Sequence, residues 1–178
     1  MADQATGCQL KDIMTQEVIT VGPETTLRDV SKVLFENHVS GVPVIDEPDR
    51  LLGIVSETDI VAAVKSYERR LNMIFPEPSI LSISFKPEYR ETALQEAIQE
   101  FQGLKVKDIM TREIYVLGPE DTIQRAVLVM NSFGVNRIPI MKDGKLVGIV
   151  ARHDIIRYLG TSDGTCLLAT KAERPKSD

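Results

Sequence analysis

The stretch that decides the fold is LKDIMT at residues 10–15, because VKDIMT follows at residues 106–111, an offset of 96. The match continues at this offset through a Gly-Pro-Glu triplet at 22–24. After one extra residue in the first copy the offset becomes 95, and Gly-Ile-Val at 53–55 meets Gly-Ile-Val at 148–150. A self-similarity this long and ordered indicates two copies of one structural unit.

The composition is that of an ordinary globular chain, with 178 residues of which 43% are hydrophobic. The net charge of −5 argues against a nucleic-acid-binding protein, because duplex affinity rests on Lys and Arg side chains. No apolar run approaches the ~18 residues needed to span a bilayer, and the first residues lack the basic and apolar regions of a signal peptide. A cytoplasmic location without membrane contact is therefore expected.

The two cysteines, Cys8 and Cys166, lie near the two ends of the chain. No CxxC motif or His/Cys cluster accompanies them, so the sequence predicts no metal site. Two reduced thiols are the favoured interpretation, and a disulfide that ties the termini together is the alternative.

Each copy is predicted to open with a short strand, at residues 18–21 and 114–117, rich in β-branched and aromatic residues. A capped helix follows, starting at the Thr-x-x-Asp of 26–29 in the first copy and the Asp-x-x-Gln of 121–124 in the second. The apolar residues at helical spacing are assigned to the core: Leu27, Val30, Leu34, Ile123, Ala126, Val127 and Met130.

Two more strands and a second helix complete each copy. In the second copy, strands at 138–141 and 146–150 flank an Asp-Gly pair at 143–144, which is a strong hairpin signal. The second helix is predicted to begin near Asp59 in one copy and Asp154 in the other.

The predicted fold class is α/β, more specifically α+β, with two β-α-β-β-α units. One such unit cannot cover both faces of its sheet, so the two are expected to pack sheet to sheet. The predicted boundaries are a first unit at 8–66, a connector at 67–104 with an amphipathic helix at 91–101, a second unit at 105–160 and a flexible tail at 161–178.

The candidate binding residues lie where a strand meets a helix, at 53–59 and 148–154. Unpaired N–H groups and the helix dipole make such a corner suitable for anions. The acidic residue of each corner, Asp59 or Asp154, can accept hydrogen bonds from neighbouring sugar hydroxyls. The alternative is that each carboxylate simply caps its helix. No candidate base or nucleophile is aimed at either corner, so no catalytic residue is assigned and no enzyme is expected.

The two copies differ in charge. Residues 137–157 carry a net charge of +3, whereas residues 41–62 carry −4. An anionic ligand is therefore expected to prefer the second copy.

Together, the doubled Asp-Ile-Met-Thr, the hydrophobic-Pro-hydrophobic strand and the Gly-h-Val-Ser/Thr-x-x-Asp corner, where h is hydrophobic, resemble a tandem pair of CBS (cystathionine-β-synthase) domains, a Bateman module. The resemblance covers residues 8–160. It implies a pseudo-twofold arrangement whose clefts bind AMP, ADP, ATP or S-adenosylmethionine. It also implies a homodimer and a regulatory role that signals energy or metabolite state to a separate effector protein. The alternative is a ligand-independent dimerisation or interaction module that docks on an enzyme or transporter.

Carried over by position, the resemblance assigns ribose hydroxyls to Asp59 and Asp154 and phosphate to Ser56. The residues that would surround the adenine are Ile19, Thr20, Val42, Pro43, Tyr115, Val116, Ile138 and Pro139. Further polar contacts would come from Thr58, Arg137, Arg152 and His153. Ala151 departs from the Ser or Thr of the family and removes a hydroxyl from the second corner. We therefore expect unequal sites, with the Asp154 site favouring a phosphorylated ligand.

Overall fold

The computed structural model describes residues 8–46, 50–74, 95–96 and 98–161. They form two compact units, one spanning Ile19–Glu113 and the other combining Met1–Val18 with Ile114–Asp178. We call these the first-copy unit and the second-copy unit. The units cut across the sequence repeat, because the opening segment of each copy belongs to the unit built around the other copy.

Helices and a two-stranded sheet make up each unit. The described part of the connector is helical at 95–96 and 98–102, which ends one residue beyond the predicted helix of 91–101, and the rest of that predicted helix lies outside the described residues. The elements are α1 (Leu27–Glu36), β1 (Gly41–Asp46), β2 (Arg50–Ser56), α2 (Glu57–Ile74), α3 (Val106–Ile109), α4 (Ile123–Phe133), β3 (Arg137–Lys142), β4 (Lys145–Ala151) and α5 (Arg152–Thr161).

Both sheets are antiparallel hairpins: β1 pairs with β2, and β3 pairs with β4. The predicted turn at 143–144 is confirmed, since Asp143 and Gly144 have φ angles of 51° and 77°. The predicted opening strands are wrong as strands. Each is reduced to one parallel bridge, from Val21 to Val44 and from Leu117 to Ile140. Residues 18–20 and 114–116, which precede these bridges, have no strand partner among the described residues, so composition alone was not enough to form a strand.

The Asp-Ile-Met-Thr segments extend the two hairpins. Thr15 exchanges backbone hydrogen bonds of 2.9 Å with Ile149, and Thr111 exchanges bonds of the same length with Ile54. A neighbouring glycine permits this approach: a Cβ on Gly53 would lie 2.8 Å from the Thr111 carbonyl oxygen. The opening segment of each copy therefore pairs with the Gly-Ile-Val strand of the other copy.

Thr26 caps α1 as predicted, accepting a hydrogen bond of 3.1 Å from the Asp29 amide. The prediction for the second copy is wrong by one residue, because Thr122 caps α4 and accepts from the Arg125 amide at 3.3 Å. The Asp121 carboxylate instead accepts from the Gly118 amide at 2.7 Å and closes the preceding turn.

The predicted core is largely confirmed, with one exception. Val127 is 36% exposed, because α4 turns only Ile123, Ala126 and Met130 into the buried cluster. In α1 the buried residues are Leu27, Val30 and Leu34, as predicted.

Cys8 is buried and disulfide-bonded, so the favoured interpretation of reduced thiols is wrong. The Tyr158 hydroxyl lies 2.8 Å from the Cys8 sulfur and donates to it. Cys166 and the predicted tail lie outside the described residues. No helix in the described ranges is long and apolar enough to cross a membrane.

Candidate ligand-binding corners

The first corner joins the last residue of β2 to the first turn of α2. The Asp59 carboxylate accepts hydrogen bonds from the Ser56 amide at 2.8 Å and from the Ser56 hydroxyl at 2.5 Å. It therefore caps α2, which is what the simpler interpretation of this aspartate predicts. The carboxylate is only partly buried, so part of it faces solvent.

A third group, which the sequence reasoning missed, completes this corner. The Thr111 hydroxyl donates to the second oxygen of Asp59 at 3.0 Å. Thr111 is 52 residues away from Asp59 along the chain, and its backbone bridge to Ile54 brings it there. No local spacing signals such a contact, since it depends on the exchange of opening segments between the copies.

The second corner has the same plan with different partners. Asp154 is 7% exposed, and one of its oxygens accepts from the Ala151 amide at 2.8 Å. Its other oxygen accepts from the Arg157 guanidinium at 2.9 Å. A buried carboxylate is costly unless it is paired, and the Arg157 guanidinium supplies the paired charge. The spacing of three residues on one helix is a sequence signal that would have revealed Arg157.

The predicted phosphate contacts lie in several places. Arg137 is 9% exposed and stands at the start of β3 opposite Ala151, so it borders the second corner. The Arg152 guanidinium donates to the Met130 carbonyl in the last turn of α4 at 3.3 Å, a position that suits a cation. His153 and Thr58 are exposed in the first turns of their helices.

The predicted adenine contacts divide into buried and accessible residues. Val42, Pro43, Ile138 and Pro139 are buried in the sheets, so they are core residues in this structure. The accessible ones are Ile19, Thr20 and Tyr115, which are half-buried, and Val116, which is 46% exposed. The Tyr115 ring stacks on Phe133 with centroids 3.9 Å apart.

Within the described ranges, no group of three or more His, Cys, Asp or Glu residues could hold a metal ion. The carboxylate oxygens at both corners accept hydrogen bonds, which suits the hydroxyls of a neutral polyol.

The family model of the CBS domain matches residues 10–66 and 106–161. The chain belongs to the CBS domain family. Two separate matches make it a tandem pair, as the repeat predicts, and the α+β fold class is confirmed.

Proteins similar to this chain include one from an archaeon and one from a plant. Protein MJ1426 of Methanocaldococcus jannaschii is 34% identical, over 84% of this chain and 90% of that protein. The chloroplastic protein CBSX1 of Arabidopsis thaliana is 31% identical, over 80% of this chain but only 59% of CBSX1. A crystal structure of CBSX2 in complex with AMP is 28% identical, with a TM-score of 0.61, covering 86% of this chain and 96% of that chain.

Proposed function

We propose that this CBS pair is a non-enzymatic regulatory module that binds adenosine-containing ligands, of which AMP, ADP, ATP and S-adenosylmethionine are the candidates. The observation that carries the proposal is the aspartate at each strand-to-helix corner. It lies in the first turn of a helix, and its carboxylate accepts a hydrogen bond from the backbone amide three residues earlier. The AMP complex of the related CBSX2 supports the ligand class.

Each aspartate retains the capacity to bind a ribose. A carboxylate offers about four lone-pair sites. Asp154 accepts two hydrogen bonds from Ala151 and Arg157, so further acceptor sites are available to vicinal hydroxyls. The capping bonds fix the orientation of the carboxylate before any ligand arrives, which lowers the entropic cost of binding.

The surroundings of the two aspartates favour different ligands. Arg137, Arg152 and Arg157 lie near the second corner, and the field of three guanidinium groups attracts a phosphate. At the first corner Glu57 and Asp59 occupy the first turn of α2. We propose that the second-copy unit binds the phosphorylated ligand more tightly.

This inequality gives a direct prediction. Asp154→Ala is expected to weaken AMP binding by about tenfold or more, because a charged acceptor contributes roughly 1.5–3 kcal/mol per hydrogen bond. Asp59→Ala is expected to weaken it less, because the arginines that favour a phosphate lie near the second corner. Isothermal titration calorimetry of the two variants beside the unmodified protein measures the losses. Equal losses would contradict the inequality while leaving the proposed function intact.

Ligand binding can regulate only if it changes an equilibrium that a partner senses. An adenosine ligand that binds one conformation of a unit more tightly shifts the population toward it, and an effector protein that prefers this conformation then responds. The effector and the cytoplasmic location both stay predictions from the sequence.

A second candidate function, assembly through a homodimer, is favoured by the exposed apolar residues of the second-copy unit. On α4 Leu128 is 65% exposed, and on α5 Ile156 and Leu159 are 66% and 51% exposed. These two helices pack on each other, so their apolar residues lie on neighbouring elements. Large exposed apolar residues grouped in this way are typical of interaction surfaces.

Leu128→Glu is expected to convert a dimer into a monomer, because it places a charge on this apolar surface. Light scattering after size-exclusion chromatography measures the mass, and Asn131→Glu on the same helix is the control. A monomeric unmodified protein would reject the dimer. Thermal shift with the four candidate ligands separates the two functions, because only a protein that binds one of them gains stability.

A further inference from the structure

The first-copy unit contains a cavity of about 400 Å³ on one face of α2. This volume lies within the usual range of small-molecule sites. The helix contributes a continuous stripe at positions 59, 62, 63, 66 and 67, and the opposite wall comes from the segment that leads into and through α3. The lining residues are Asp59, Ala62, Ala63, Ser66, Tyr67, Leu104, Asp108 and Ile109.

The lining of the cavity carries negative charge. Asp59 and Asp108 both line it, and neither Lys nor Arg is among its described lining residues. The nearby Lys107 is held elsewhere, since its ammonium donates to the Glu24 carboxylate at 2.6 Å. That hydrogen bond raises the pKa of Lys107 and lowers the pKa of Glu24, so both remain charged and paired.

The second copy shows why the cavity is present. At the offset of 95, Ala62 and Ala63 correspond to Arg157 and Tyr158. The Arg157 guanidinium pairs with Asp154, the counterpart of Asp59, at 2.9 Å. The Tyr158 hydroxyl reaches Cys8, which is the counterpart of the lining residue Leu104. In the first copy Thr111 rather than an arginine donates to the equivalent oxygen of Asp59, and two alanines stand at the positions of Arg157, whose side chain is 57% exposed, and Tyr158.

This internal comparison also identifies the chemistry that suits the cavity. The carboxylate equivalent to Asp59 has a guanidinium as its partner, in the charge-assisted geometry that such pairs favour. The Tyr67 ring, packed against Phe101 at a centroid distance of 4.9 Å, adds an aromatic wall of the kind that attracts cations. The alanines, Leu104 and Ile109 provide apolar contact for an alkyl chain.

We propose that this cavity binds a small organic cation, a guanidinium or amine on a short alkyl chain, which contacts Asp59 beside the Thr111 hydroxyl as Arg157 contacts Asp154 in the other unit. Asp59 and Asp108 supply the opposite charge. Asp59 belongs both to this cavity and to the proposed adenosine site, but the test uses no nucleotide, so its failure leaves the proposed function untouched.

The experiment titrates n-butylguanidinium and its neutral counterpart n-butylurea into the unmodified protein, followed by the NMR shifts of the Ala62 and Ala63 amides. Butylguanidinium is expected to bind at least about tenfold more tightly than butylurea, because its hydrogen bonds to carboxylate are charge-assisted. Ala62→Arg places the guanidinium of the second copy in the cavity and is expected to abolish binding. Val61→Arg, which adds the same charge outside the lining, is expected to retain it.

Asp108→Asn keeps the cavity volume and removes one charge, so it is expected to weaken butylguanidinium binding several-fold even if Ala62→Arg fails to fold. Equal binding of butylurea and butylguanidinium, or no binding of butylguanidinium to the unmodified protein, would overturn the proposal. If Asp108→Asn bound butylguanidinium as tightly as the unmodified protein, the Asp108 carboxylate would not be part of the site, and the proposal as stated would be wrong.

Discussion

Leu10→Ala is expected to lower the free energy of unfolding of the second-copy unit by about 2–5 kcal/mol, the usual cost of a large cavity in a packed core. Leu10 is fully buried, and it lies in the same apolar cluster as Ile123, Ile138 and Val150 from the second copy. A residue from the start of the chain thus supports elements more than a hundred positions later. Urea denaturation followed by circular dichroism measures the loss.

Hydrogen exchange shows which part of the structure Leu10→Ala loosens. The Ile149 amide donates to the Thr15 carbonyl at 2.9 Å, so loosening the opening segment is expected to speed hydrogen exchange at Ile149. Val106→Ala is the matched control, because Val106 is the fully buried counterpart of Leu10 in the first-copy unit. It is expected to speed exchange at Ile54, which donates to the Thr111 carbonyl, and to leave Ile149 unchanged. If Leu10→Ala loosened Ile54 and not Ile149, the exchange of opening segments would be wrong.

Gly53→Ala is expected to destabilise the first-copy unit by about 1–3 kcal/mol, the usual cost of overpacking. The added Cβ would lie 2.8 Å from both the Met110 sulfur and the Thr111 carbonyl oxygen. A backbone atom of a bridged segment cannot move away as a side chain can. The same shift would displace the Thr111 hydroxyl from Asp59, so AMP binding at this corner is expected to weaken as well.

Gly148→Ala is the matched comparison in the other unit. Its Cβ would meet the Met14 sulfur at 2.6 Å, but the nearest backbone atom, the Thr15 oxygen, lies at 3.2 Å. Because a methionine side chain is flexible, this variant is expected to lose less stability than Gly53→Ala. Thermal unfolding of both variants checks the order, and a larger loss in Gly148→Ala would contradict it.

The repeat predicted the fold class and most of the helices and strands, because their signals are local. Thr26, the Asp143-Gly144 turn and the apolar stripe of α1 all depend on residues within one or two helical turns or one hairpin. No local signal reveals the exchange of opening segments. Thr15 and Thr111 end the same motif, so the sequence does not say which hairpin each of them joins. The opening strands were predicted from their β-branched composition, but a strand also needs a neighbouring strand to pair with, and among the described residues of these segments only Val21 and Leu117 have one.

The candidate corners could be predicted because Asp59 and Asp154 follow a strand and lie in the first turn of a helix, a pattern visible in the sequence. Their partners were harder to find. Arg157 could have been predicted as the partner of Asp154, because it lies three residues later on the same helix. Thr111 contacts Asp59 only through the tertiary structure. The side chains of Ile138 and Pro139 are buried in the sheet, and their assignment to the adenine stays a prediction.

Calorimetric titration of AMP into the unmodified protein and into the double variant with Asp59→Ala and Asp154→Ala tests the proposed function most directly. We expect the unmodified protein to bind AMP and the double variant to lose binding while keeping its circular dichroism spectrum. The same titration with ADP, ATP and S-adenosylmethionine extends the test across the ligand class. Absence of binding of all four to the unmodified protein, or undiminished AMP binding by the folded double variant, would contradict the assignment of the two aspartates as the adenosine-binding residues.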